Sequence, residues 1–307
     1  MALTGNFERI KSYDDTRIAC ATWGEGTPVV LSNGICCSDT YWTYMAPFLV
    51  ENGCQVIFFD YRGHKRSGRP GNPNEVGVPC HARDLWAVAD HFGVTNPILI
   101  GHSMGVQTIF EAYRQRPEGT RALVALAGPF EYPLDHLYMT PIGALLLDAF
   151  EFSWRYTPSA VRAVWRATGF DTRAIVKFSK LMMAISRQAP SDLVGEYFTN
   201  VSELDPLLVI QMFRGMQMHS ARDILRTCQV PVLQLSGGRD MLTPLPLQRE
   251  MASLLPDVEF EVFEKCGHTL PVDEPDRCDD RVLEFINKLR ANEPKKPTPR
   301  KKAQAPA

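Results

Sequence analysis

Pro97-Ile98-Leu99-Ile100-Gly101-His102-Ser103-Met104-Gly105-Val106 is the stretch on which the fold turns. Pro97 to Ile100 is a short apolar, β-branched run, the signature of a strand buried on both faces. From Met104 to Arg116 apolar residues recur at helical spacing, and Pro117 ends the run. A strand that turns this sharply into a helix forces its turn residue, Ser103, into a strained backbone conformation that lifts its side chain clear of the sheet. Gly101 and Gly105, two residues to either side, leave the space such a turn needs. The helix start aims backbone N–H groups at the same spot, where a developing oxyanion would be held. G-x-S-x-G alone arises by composition in about one chain in ten of this size, so the strand–turn–helix setting carries the reading.

Outward from this stretch the same rhythm repeats. Upstream, Arg17 to Trp23, Pro28 to Leu31 and Gln55 to Phe59 read as strands, and Cys80 to Phe92 reads as a helix. Asp39 or Thr40 is placed to cap a helix carrying Tyr44, Phe48 and Leu49. Downstream, Ala122 to Ala127 is another apolar strand. Short continuous apolar strands alternating with helices predict an α/β fold with a parallel sheet covered on both faces. The rhythm then breaks. From Phe130 to Ser220 only helix signals appear, with starts at Thr157-Pro158, Asp171, Ser191-Asp192 and Asp205-Pro206. It resumes with strands Val230 to Leu235 and Val258 to Phe263, and helices near 245–255 and 274–289. The expected organisation is a discontinuous core, 1–130 and 221–290, a helical cap over 131–220, and a Pro- and Lys-rich disordered tail over 291–307.

Composition bounds the function. The 307 residues are 45% hydrophobic, which excludes a disordered or fibrous chain and supports a sizeable core. A net charge of −2 gives no reason to expect a nucleic-acid or membrane-surface partner for the body of the protein. No apolar run reaches the roughly 18 to 20 residues of a membrane span. The N-terminus, MALTGNFERIKSYDD, has no basic start followed by an apolar stretch and a cleavage site, so a cytoplasmic location is expected. The eight cysteines form no C-x-x-C pair; reduced thiols are expected, and neither metal nor cofactor is implied. Nothing specifies an oligomeric state.

A serine hydroxyl needs a base within hydrogen-bond reach, and the base an orienting acid. Of seven histidines, His268 in Lys265-Cys266-Gly267-His268-Thr269 follows the last strand, at the sheet edge that also carries Ser103. His102 adjoins the serine but is expected to point away across the turn. Asp240, in Gly237-Gly238-Arg239-Asp240, follows the strand before and reaches the same edge. The order Ser103, Asp240, His268 is that of a triad on such a sheet. The oxyanion donors expected are the backbone N–H groups of Met104 and of Ile35, the latter in the loop Ser32-Asn33-Gly34-Ile35.

Asn33-Gly34, Asp60-Tyr61-Arg62-Gly63 with Ser67-Gly68, Gly101-His102-Ser103-Met104-Gly105, Gly238 with Asp240, and Gly267-His268 occur together and in order. In these motifs the chain resembles the α/β-hydrolase fold family, in its cap-bearing serine esterase and lipase branch. The resemblance implies an eight-stranded, mostly parallel sheet, a Ser103–His268–Asp240 triad, and hydrolysis of a carboxylic ester through an acyl-enzyme. Serine at the turn argues against the epoxide-hydrolase and haloalkane-dehalogenase branches, which use Asp there. The sequence departs from the family in having Asn33 for a usual His, and Lys65 and Val106 for usual glycines. The bulky cap residues Leu145 to Leu147, Phe150, Phe152, Trp154, Leu181 to Met183, Met212, Phe213, Met216 and Met218 point to a small-molecule partner with an apolar acyl or ester group, or to packing of the cap on the core. The same triad also serves C–C bond hydrolysis and acyl transfer, including transfer to peroxide. A non-catalytic small-molecule receptor is the reading from a different class.

Overall fold

The computed structural model describes residues 5–167, 172–182 and 185–292. Of the tail expected over 291–307, residues from 293 on lie outside the described residues, as do the helix start at Asp171 and the cap residue Met183.

Eight strands form one sheet: β1 Glu8–Lys11, β2 Arg17–Trp23, β3 Thr27–Ser32, β4 Cys54–Phe59, β5 Ile98–His102, β6 Ala122–Leu126, β7 Val232–Gly237 and β8 Val258–Phe263. Their spatial order is β1-β2-β4-β3-β5-β6-β7-β8. β1 pairs antiparallel with β2 and β2 antiparallel with β4, while every pairing from β4 to β8 is parallel. Every residue of the central β5 and β6 is buried, as continuous apolar strands covered on both faces must be. β1, read from sequence as part of the N-terminal segment, is an edge strand whose ERIK pattern buries Ile10 alone.

The helices among the described residues are α1 Met45–Glu51, α2 Val78–His91, α3 Met104–Gln115, α4 Ile142–Tyr156, α5 Pro158–Ala167, α6 Thr172–Leu181, α7 Ser191–Glu203, α8 Pro206–Met218, α9 Arg222–Leu225, α10 Leu245–Leu254, α11 Leu270–Asp273 and α12 Pro275–Ala291. Two apolar layers flank the sheet. One gathers side chains of α2, α3 and α10, including Leu85, Phe110 and Met251. The other gathers those of α1 and α12, including Leu49, Val282 and Phe285. Asp39–Trp42 is a 3₁₀ turn, so the helix expected from Asp39 begins at Met45 instead.

Between β6 and β7 the chain leaves the sheet and makes α4 to α8. It departs and returns at one neck: Glu131 bridges Ser220 in antiparallel fashion, and Ala221 N–H donates to the Phe130 carbonyl at 2.9 Å. At α8 the Asp205 carboxylate accepts from Leu207 N–H at 2.9 Å, with Pro206 in the first turn. No described helix is long and apolar enough to cross a membrane.

Candidate active site

β5 ends at His102, and α3 begins at Met104. Ser103 between them has φ 54° and ψ −123°, a left-handed conformation that costs a β-substituted residue energy. The crowding that fixes its neighbours is visible. A Cβ on Gly101 would collide with the Gly105 carbonyl, and one on Gly105 with the Ser32 carbonyl of β3. β5 and β3 therefore approach the helix start closely only because both positions are glycine.

Three separate chain segments meet above this turn. Ser103 Oγ lies 2.8 Å from His268 Nε2, and His268 Nδ1 lies 2.9 Å from Asp240 Oδ2. Asp240 is held by its own loop: Oδ1 accepts from Leu242 N–H at 2.8 Å and Thr243 N–H at 2.9 Å, and Oδ2 accepts from the Thr243 hydroxyl at 2.6 Å. A carboxylate so surrounded by donors is held in one orientation. Ser103, Asp240 and His268 are each more than nine-tenths buried, so the pairings are little screened by solvent.

Ile35 follows β3, which pairs directly with β5, and Met104 opens α3 immediately after Ser103. The loop bearing Ile35 is braced from below. Asn33 Oδ1 accepts from Trp42 Nε1 at 2.7 Å, Asn33 Nδ2 donates to the Cys37 carbonyl at 3.3 Å, and the Asn33 carbonyl accepts from Tyr61 Oη at 2.7 Å. Asn33 thus ties its loop to Trp42 and Cys37.

His102 makes its bonds away from Ser103, yet it lines the same cavity. Its ring stacks on Tyr41 at 4.1 Å, and Nε2 sits 2.9 Å from the His268 carbonyl and 2.8 Å from Tyr41 Oη. A carbonyl can only accept, so the His102 proton resides on Nε2. Burial, with His268 nearby, holds the His102 pKa well below its ordinary value, so the ring is neutral. Alternation along β5 does swing His102 aside from Ser103, but Tyr41 and the backbone of His268 lie on that side.

Ser103 and His268 open into a cavity of about 400 Å³. Its floor is Ile35, Ser103 and His268; its walls include Leu134, Leu137, Tyr197 and Phe213 from the segment between β6 and β7. No Asp, Glu, Lys or Arg is among the described residues that line it. A family model described as alpha/beta hydrolase fold matches residues 27–275.

The chain belongs to the alpha/beta hydrolase fold family. A non-heme haloperoxidase of Rhodococcus erythropolis is 24% identical to this hydrolase-fold protein over 281 residues, 90% of this chain and 98% of that one. The esterase from Exiguobacterium antarcticum superposes with a TM-score of 0.74 at 22% identity, over 92% of this chain and 100% of its own. A bromoperoxidase from Bacillus anthracis gives 0.74 at 19% identity, with 92% and 100% covered. At such identities these structures establish the fold.

Two further departures from the family have local answers in this alpha/beta hydrolase. Lys65, with φ 36°, reaches Glu196 of α7 at 3.3 Å and so links the loop after β4 to the helical segment. Val106 packs over Gly128, where any Cβ would collide with it. Thr243, which holds Asp240, and Tyr41, which stacks on His102, were not read from sequence. Thr243 stands three residues after Asp240, the spacing of a local side-chain turn, and that is the signal that points to it. Several bulky residues expected at a substrate pocket prove to be elsewhere. Phe213 and Met216 line the cavity, whereas Leu145, Leu146, Phe152, Leu181, Met182 and Met218 face outward.

Proposed function

We propose that the protein is a serine hydrolase that cleaves an uncharged carboxylic ester through an acyl-enzyme on Ser103. The continuous hydrogen-bonded chain Ser103–His268–Asp240 at the floor of an uncharged cavity carries this reading. His268 Nε2 takes the Ser103 proton as Oγ bonds to the ester carbonyl carbon. The oxyanion is held by the N–H groups of Ile35 and Met104, each such donor worth about 10²–10³ in rate. His268 then protonates the leaving alcohol as the C–O bond breaks. Water, deprotonated by His268, attacks the acyl carbon, and Ser103 regains its proton. Asp240 fixes the Nδ1–H tautomer and stabilises the imidazolium. Residues 131–220 act as a cap that supplies the apolar walls for the acyl group. The absence of charged residues from the described lining disfavours substrates bearing a carboxylate, because no cation would replace its lost hydration.

p-Nitrophenyl esters of graded chain length test the proposal. Expected are turnover of uncharged acyl chains, discrimination against esters with a terminal carboxylate, and a fall on the order of 10⁴ or more in Ser103→Ala. Near-normal hydrolysis by folded Ser103→Ala protein would contradict it. The relatives named haloperoxidase and bromoperoxidase support a second reading, in which hydrogen peroxide replaces water in the second half-reaction and the product is a peracid. Product analysis with and without peroxide separates the two.

A further inference from the structure

The outer face of α4 carries an apolar stripe left exposed among the described residues. Ile142, Leu145, Leu146, Phe152 and Tyr156 recur at helical spacing along it, and all but Ile142 are more than 60% exposed. Over the fourteen residue steps from Ile142 to Tyr156 the stripe is about 21 Å long. The inner face is occupied: Gly143 and Leu147 are buried, and Asp148 and Glu151 are tied to Arg214 of α8 at 2.5 and 2.7 Å.

α5 is joined to α4 by stacking of Trp165 on Phe150 and by Arg162 lying 4.6 Å from the Trp154 ring. From Phe152 to Arg166 the sequence has Arg155, Arg162 and Arg166 and no Asp or Glu. All three arginines are exposed, and none has a carboxylate partner among the described residues. By contrast Arg62, Arg66, Arg116, Arg222 and Arg281 are all ion-paired. The hairpin is therefore locally positive on a chain whose overall charge is −2, and its acids are already neutralised from within. The near-neutral total gave no sign of this.

We infer that the α4–α5 hairpin docks in the plane of an anionic lipid bilayer, its apolar stripe entering the acyl boundary and its unpaired arginines meeting the headgroups. An apolar face bordered by cations is what an interface helix needs: apolar burial supplies the adhesion, and the anionic surface satisfies the cations. An exposed apolar stripe alone would suit a second copy equally. The unpaired arginines favour the lipid.

The test is co-sedimentation of the full chain with vesicles of phosphatidylcholine alone or mixed with phosphatidylglycerol. Binding is expected to the mixed vesicles, weakened by salt, and about tenfold or more weaker in L145E/L146E and, separately, in R155E/R166E. Both pairs lie on the surface, so melting temperatures should be unchanged. Truncation after Pro294, which removes the five basic residues of the tail, should leave binding in place. Ser103→Ala should bind like the parent, so this result stands apart from the catalytic reading. Absence of binding, binding by both double variants as tight as the parent's, or loss through the truncation alone would overturn the inference. So would a sedimentation-velocity shift from dimer to monomer in L145E/L146E without any vesicle binding by the parent.

Discussion

At the scale of single residues, the proposed chemistry depends on how tightly Asp240 is fixed. Asp240→Asn would offer His268 a group whose amide can donate as well as accept, favouring the wrong imidazole tautomer. A fall of about 10⁴ in kcat is expected for ester hydrolysis. An effect under tenfold would point to another acid. Thr243→Val removes the 2.6 Å hydroxyl bond but keeps the backbone bonds to Asp240. Losing one hydrogen bond to a charged group is worth roughly 1.5 kcal/mol, so kcat should drop about tenfold with KM little changed. The sequence places Ser103, Asp240 and His268 at one sheet edge because each follows a strand, and parallel strands deliver their ends to one edge. Thr243, Tyr41 and the brace from Trp42 to Asn33 were not legible in it. Their roles depend on side-chain hydrogen bonds and stacking across segments that no periodicity marks.

At the scale of elements, the loop after β4 is anchored by ions that sequence patterning leaves unspecified. Arg62 and Asp84 are both completely buried, bonded through two nitrogens at 2.7 and 2.8 Å. Arg62 also reaches Asp14 at 2.8 Å, and Ser12 Oγ donates to Asp84 at 2.5 Å. This set fastens α2, the β1–β2 turn and the loop after β4 to one another. Burial pushes the Asp84 carboxyl up, and the Arg62 guanidinium works against that rise. Asp84→Asn would strand a buried guanidinium, at a cost of about 3–5 kcal/mol in unfolding free energy, read by urea titration. A loss below about 1 kcal/mol would mean that Asp14 alone suffices to hold Arg62. The elements themselves were largely visible as apolar runs and helical spacing. β1 was missed because an edge strand with one buried side chain has no apolar run.

At the scale of the whole molecule, three neutral histidines lie inside one fold. His64 is pushed down to about 4 by burial, and His81 and His102 are held well below the ordinary value by burial first and by a neighbouring histidine next. Each folded-state pKa lies below the unfolded value of about 6.5, so the unfolded chain binds protons that the folded one refuses. The stability this represents is present above about pH 6.5 and is lost as pH falls from there towards 4. Each histidine contributes about 1.4 kcal/mol per pH unit in that window. Urea midpoints should fall steadily between pH 7 and pH 5, and a flat profile would contradict the burial argument. The excursion over 131–220 was visible as a break in the strand rhythm. Which of its apolar residues face the cavity was not, because helical spacing identifies a stripe without saying what covers it. Leu147 and Leu145 look alike in sequence, yet one is buried and the other 64% exposed.

The central claim is that Ser103 is the nucleophile, and covalent labelling tests it most directly. A fluorophosphonate reacts with a serine only where a base removes its proton and an oxyanion site receives the phosphonyl oxygen. Folded protein incubated with the reagent, digested and mapped by mass spectrometry should carry one adduct, on the peptide containing Ser103, with none in Ser103→Ala. No adduct on folded protein, or an adduct on another residue that persists in Ser103→Ala, would contradict the account and favour a fold that binds small molecules without turning them over.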